Sequence, residues 1–139
     1  GCQILLTVSP VRHVRDGLVE NQRSKAHLIA AVHHVARGGS IHYFPAYELL
    51  MDELRDYRFY KRDLIHPTEQ AVDFVWEKFI EAWVDPAAIR VMTRVAAIRK
   101  QMAHRDARAT ESSGVDTNAF LKEKAEALSA EYPFIQFDL

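Results

Sequence analysis

An aspartate and a histidine three residues apart, in the tetrad Asp63-Leu64-Ile65-His66, stand immediately before Pro67 and a strongly amphipathic stretch. At a helix entrance this spacing lets both side chains face one direction. The carboxylate can then accept the Nδ1 proton of the imidazole and leave Nε2 directed into a cleft. An imidazole held in this way is a general base. It takes the proton of a serine hydroxyl attacking an ester or thioester carbonyl and returns it to the leaving alcohol. Asp63 and His66 are therefore the candidate catalytic acid and base. The bare pattern is common, and its plain alternative is a cap, by either side chain, on the helix beginning near Pro67. A nucleophile on an earlier strand, the other half of a relay, has no candidate in the chain.

A second polar group, Ser9, Arg12, His13, Arg15 and Asp16, crowds just beyond an apolar run, where open α/β sheets place their ligands. Arg12 and His13 are the candidate substrate-binding residues, able to hold an anion or a hydroxyl. The alternative is hydrogen bonding within the loop, to which Arg15 and Asp16 are assigned. His33 and His34 are rotated by about 100° on a helix, and His27 and His34 lie about 10 Å apart along one. Neither pair can chelate one ion, so no metal is expected, and no motif calls for a cofactor. Trp76, Phe79 and Trp83 read as core rather than as a cofactor cradle. Between Arg55 and Arg62, four cations interleave with Tyr57, Phe59 and Tyr60. Such a run could stack bases or grip phosphate, but it reads better as a packed loop with solvated charges.

The elements that must position these groups follow from periodicity. Gln3 to Val8 is apolar, partly β-branched and closed by Ser9-Pro10, the pattern of a buried strand. A helix is expected from Val19 to Arg37, with Leu28, Ile29, Val32, Val35 and Ala36 as its apolar face and Gly38-Gly39 as its stop. A short strand follows at Ile41 to Phe44. Strand, helix, strand is a βαβ unit, whose crossover implies a parallel pair. Ala46 to Leu54 reads as a short helix carrying Leu49, Leu50 and Leu54. From Pro67, apolar residues Val72, Val75, Trp76, Phe79, Ile80 and Trp83 recur at helical spacing until Asp85-Pro86. Beyond that point Val91, Val95, Ile98 and Met102 repeat at the same intervals as Leu121, Ala125, Leu128 and Tyr132, which predicts a helical hairpin. Its connection, His104 to Asn118, is polar, includes Ser112-Ser113-Gly114, ends in Asp116, Thr117 and Asn118 as helix caps, and is expected to be mobile. The fold class is α/β: residues 1–85 form a parallel sheet with flanking helices, and 86–139 a helical appendage.

With 139 residues and 48% hydrophobic content, the chain can bury one respectable core. A net charge of −1 with interspersed signs provides no field for a polyanion, so nucleic acid is not an expected partner. The lone Cys2 cannot form an internal disulfide. No run reaches the roughly 18 apolar residues of a membrane span. The chain is expected to be soluble. Gly1 resembles a tag remnant, so the missing leader leaves the compartment open, the cytoplasm slightly favoured. Two parallel strands need neighbours, and their exposed edges predict a homo-oligomer.

The segments LTVSPVRHVRDGLVENQRSKAHLIAAVHHVA (6–36), YFPAYELLMDELRDYRFYKRDLIHPTEQAVDFVWEKF (43–79), MAHR (102–105) and YPFI (132–135) resemble the GSCFA domain family. That family is similar to the SGNH, or GDSL-like, hydrolases. The resemblance implies that residues 1–85 are the C-terminal part of an SGNH-like domain, with a partial SGNH-like parallel sheet. It also implies that Asp63 and His66 supply the triad acid and base, and that the intact parent acts on a small-molecule or carbohydrate acyl ester. A serine nucleophile and oxyanion donors, usually a glycine and an asparagine, are implied on segments that this chain does not contain. No GSCFA string occurs here, and Ser9, Ser24, Ser40, Ser112, Ser113 and Ser129 lie in the wrong contexts to replace it. Each missing oxyanion donor removes about 3 to 4 kcal/mol of transition-state stabilisation, so this segment alone is expected to be inactive. A non-catalytic protein-interaction or self-association module built on the helical hairpin is the competing reading.

Overall fold

A computed structural model describes residues 1–108 and 115–137. The chain divides into two compact units, Gly1–Trp83 and Val84–Leu139. The first opens with strand β1 (Ile4–Thr7), helix α1 (Leu18–Val35) and strand β2 (Ile41–Phe44). β1 and β2 pair in parallel, with Ile4 opposite Ile41 and Thr7 opposite Phe44. The βαβ reading therefore holds, within a residue or two at each boundary. Two glycines end the crossover because the turn after α1 requires positive φ at both: Gly38 at 108° and Gly39 at 77°.

The buried face of α1 differs from the expected one. Leu28 and Val35 are exposed, whereas Asn21 and Lys25 are buried at 6% and 8% exposure. The inner line runs Asn21, Lys25, Ile29, Val32, Ala36, so two polar residues share the apolar stripe's phase. Their polar atoms are satisfied by the loop after β1. Asn21 Oδ1 accepts the His13 backbone N–H at 2.8 Å, and Lys25 Nζ donates to the Ser9 carbonyl at 2.6 Å.

Helix α2 (Ala46–Glu48) continues directly as a π-wound segment, Leu49–Leu54. The Arg55 N–H reaches back five residues to the Leu50 carbonyl, and Arg55 closes the segment in a left-handed conformation. The expected loop beyond it contains a 3₁₀ turn, Tyr57–Phe59, started by Asp56, which accepts the Arg58 N–H at 2.8 Å. Leu50, Tyr60 and Ala71 form a buried cluster, with Leu54 and Phe59 against it.

Helix α3 spans Glu69–Trp83, and its Phe79 meets Phe44 of β2 edge to face at 5.3 Å. The placement of Trp76 and Trp83 in the core needs correction. They are 49% and 40% exposed. Trp76 stacks on Phe79, and Trp83 meets the His42 ring edge to face. The apolar stripe of α3 is wider than a two-stranded sheet can cover, so its flanks remain in solvent.

In the second unit, α4 (Pro86–Arg108) starts on an Asp85 cap whose Oδ1 accepts the Ala87 N–H at 2.6 Å, with proline at the first helical position. It pairs with α5 (Val115–Glu131) around Ile98, Leu121, Ala125 and Leu128, with Val95, Met102 and Tyr132 alongside. Arg94, early in α4, meets Glu131, at the end of α5, at 2.8 Å, as an antiparallel hairpin requires. The polar connection is shorter than expected. Polar side chains do not by themselves break a helix, and α4 runs on through Arg108. Asp116, Thr117 and Asn118 lie within α5 rather than ahead of it. Of the connection expected to be mobile, His104 to Arg108 belong to α4 and Val115 to Asn118 to α5, and residues 109–114 lie outside the described residues. No helix among the described residues is long and apolar enough to cross a membrane.

Candidate functional site

The Asp63-His66 segment is carried on a fold-back loop closed at its base by main-chain bonds. The Thr68 N–H donates to the Phe59 carbonyl at 2.8 Å, and the Lys61 N–H to the His66 carbonyl at 2.7 Å. Tyr60 and Pro67 face each other as an antiparallel bridge. At the tip the Leu64 N–H donates to the Lys61 carbonyl at 2.8 Å, a turn that forces Leu64 to φ 56°. A leucine in this left-handed region costs about 1 kcal/mol, which the surrounding bonds sustain.

Within that turn the two oxygens of Asp63 have separate tasks. Oδ1 accepts the backbone N–H groups of Ile65 and His66 at 2.9 and 3.0 Å, and Oδ2 meets His66 Nδ1 at 2.7 Å. An ionised carboxylate only accepts hydrogen bonds, so Nδ1 is the protonated nitrogen and Nε2 carries the available lone pair when the ring is neutral. Neither side chain caps α3. Thr68 does so, its Oγ1 accepting the Ala71 N–H at 3.4 Å. Both partners remain open to solvent, with His66 58% and Asp63 44% exposed.

The His66 hydrogen bond, followed by those from the Ile65 and His66 amides, holds the Asp63 carboxyl far below its ordinary 3.8. A depressed folded-state pKa stabilises the fold at pH values above the unfolded value. That contribution disappears as pH falls through the folded one. Carbon-detected NMR titration of the Asp63 carboxyl is therefore expected to show a midpoint well below 3.8, with the Ile65 and His66 amides shifting in step. A midpoint at the ordinary value would contradict the geometry.

Arg12 joins this loop to the exit of β1. Its backbone N–H donates to the Ile65 carbonyl and its Nη1 to the Leu64 carbonyl, each at 3.2 Å. The guanidinium lies over the Tyr60 ring at 4.3 Å, a cation–π contact. Arg12 thus reaches the catalytic candidates through the carbonyls of the two residues between them. His13 is placed differently: its ring lies 3.9 Å from Asp16 in solvent. Asp16, assigned to interactions within the loop, meets His13 in this way.

Two cavities adjoin Arg12. One, of about 160 Å³, is bounded by Leu50, Arg55, Asp56 and Tyr60. The other, of about 210 Å³, lies between the β1 exit and α1, with Asn21, Gln22, Lys25 and Tyr47 in its wall. Arg12, Met51 and Tyr57 border both. His13 borders neither. Among the described residues no group of three or more His, Cys, Asp or Glu side chains is placed to hold a metal ion.

Sequence reasoning missed Lys25, Asn21 and Thr68. The first two were visible as polar residues four apart in phase with Ile29, and the third as the hydroxyl three residues before Ala71. No curated protein and no solved structure matches the chain. The profile of the GSCFA family does, over residues 1–79. The match stops short of MAHR and YPFI, so those tail segments lie beyond the matched residues. It takes in β1, α1, β2, the Asp63-His66 loop and most of α3, more than half of the chain, and on that ground the chain belongs to the GSCFA family.

Proposed function

We propose that the chain carries the acid and base of an SGNH-type serine ester hydrolase or acyltransferase, with Asp63 orienting His66. The observation that carries this reading is the 2.7 Å contact between His66 Nδ1 and Asp63 Oδ2, in a turn whose amides hold the other carboxylate oxygen. In the reaction, a serine Oγ attacks the ester carbonyl while its proton passes to His66 Nε2. The proton then goes to the leaving alcohol as the carbonyl–oxygen bond breaks. Water or a second alcohol, deprotonated by the same nitrogen, then attacks the acyl carbonyl, and the acyl–serine bond breaks as the serine oxygen recovers the proton from His66. The substrate is a small-molecule or carbohydrate acyl ester, approached from the carboxyl end of β1, with Arg12 and His13 as its contacts. Residues 1–85 form the α/β part of this assembly and 86–139 its helical appendage.

Among the described residues no serine hydroxyl bonds His66, so the reading requires a hydroxyl from outside them. The test is acyl-ester turnover by the full-length product of the gene encoding this chain, compared with its His66→Ala form. Equal turnover in the two would overturn the assignment.

A second reading, self-association, is favoured by apolar side chains left in solvent: Val19 at 71% on α1, Trp76 on α3 and Phe134 at 81% in the C-terminal unit. Exposed apolar surface and the edges of a two-stranded sheet favour pairing with another copy. Light scattering across micromolar concentrations is expected to report a dimer or larger species. A concentration-independent monomer would rule this out.

A further inference from the structure

The cavity between the β1 exit and α1 has a chemistry separate from the Asp63-His66 turn. Its wall includes two cations, Arg12 and Lys25, two amides, Asn21 and Gln22, and two phenols, Tyr47 and Tyr57. Among the described residues no carboxylate lines it. Lys25 is the unusual member. It is only 8% exposed, yet it lies on the stripe of α1 where an apolar residue would be expected. Among the described residues no carboxylate forms an ion pair with it. Burial is the cause that lowers its pKa, with no opposing carboxylate to restore it.

An ammonium group has three N–H donors. One is used on the Ser9 carbonyl at 2.6 Å. The Tyr47 ring lies 5.8 Å away and offers its face to the cation. The Tyr47 hydroxyl donates to Gln22 Oε1 at 3.0 Å, which fixes the Gln22 amide and turns its NH₂ group away from Tyr47 as a remaining donor. Asn21 is held in the same manner, its Oδ1 occupied by the His13 N–H at 2.8 Å. The two amide oxygens of the wall are therefore engaged internally, while their NH₂ groups remain as donors.

A buried cation without a counter-ion is costly unless something negative completes it. We propose that this cavity binds the oxyanion of a small organic molecule, a carboxylate or a phosphate, against Lys25, with Arg12 completing the charge. The volume of about 210 Å³ suits a head group bearing a few carbons rather than a polymer.

The site is tested on the full chain by ¹⁵N-resolved NMR titration with sodium acetate and, separately, inorganic phosphate, at constant ionic strength. Saturable shifts at Asn21, Gln22 and Lys25 are expected with at least one probe, and the tighter probe identifies the head group. Lys25→Met is expected to weaken binding by at least about tenfold. Lys25 also tethers the Ser9 carbonyl, so a second variant, Gln22→Glu, keeps the acceptor for Tyr47 while placing a carboxylate in the wall. It is expected to weaken binding by a similar factor with an unchanged circular dichroism spectrum. The absence of saturable shifts with both probes would overturn the proposal, as would undiminished binding by a folded Gln22→Glu form. His66→Ala is expected to leave this binding intact, which separates the site from the catalytic reading.

Discussion

Alanine at position 66 is expected to lower kcat for acyl-ester turnover by the full-length gene product about 10⁴-fold or more, with KM nearly unchanged. On the proposed reading the imidazole takes the proton from the attacking hydroxyl and returns it, so its removal acts on the transition state rather than on substrate binding. Asp63→Asn separates charge from architecture. The asparagine oxygen still accepts the Ile65 and His66 amides, now bonded at 2.9 and 3.0 Å, and keeps the turn. Its NH₂ group replaces the acceptor 2.7 Å from Nδ1 and favours the wrong imidazole tautomer. A fall of about 10²- to 10⁴-fold is expected, the lower end applying if the site stays as open to water as His66 and Asp63 are here. Retention of the wild-type kcat by Asp63→Asn would reduce the carboxylate to a turn-forming residue. Asp63→Ala, which removes both functions, should then alone impair the enzyme.

The parts of this site legible beforehand were those written in local spacing. Asp63 and His66 meet because three residues of turn bring them together, and that needs no knowledge of the remaining fold. Likewise β1, α1 and β2 follow from two apolar runs around a glycine-terminated helix, and the α4/α5 pair follows from matched stripes. What escaped was long-range. Arg12 lies 52 positions from Leu64, and no periodicity shows that its guanidinium would spend one N–H on that carbonyl. Lys25 escaped for a related reason: a lysine on an apolar stripe reads as solvated until the Ser9 carbonyl is seen beside it. The tryptophans of α3 illustrate the reverse error. Helical spacing identifies an apolar face correctly, but how much of that face is covered depends on the width of the sheet beneath it.

The loop bearing the catalytic candidates is only as firm as the cluster under it, and Leu50→Ala is expected to expose that dependence. Leu50 is 2% exposed, in contact with the cluster of Tyr60 and Ala71. Removing three buried carbons from such a site costs about 2 to 5 kcal/mol, in transfer free energy plus the cavity left behind. Against a typical total of about 5 to 15 kcal/mol, that is a large share. Loss of packing reaches the site through Tyr60, which bridges Pro67 at the loop base and supports the Arg12 guanidinium at 4.3 Å. Both tryptophans, Trp76 and Trp83, belong to the first unit, so urea unfolding followed by their fluorescence reports on this core. The variant should unfold at distinctly lower urea. Its Lys61 and Thr68 amides, which close the loop, should also exchange faster with solvent under native conditions. Leu50→Met, which nearly conserves volume, should cost less than about 1.5 kcal/mol and restore slow exchange. A Leu50→Ala cost below about 1 kcal/mol, against the range for buried leucines, would mean that the loop is held by its main-chain bonds and Arg12 alone.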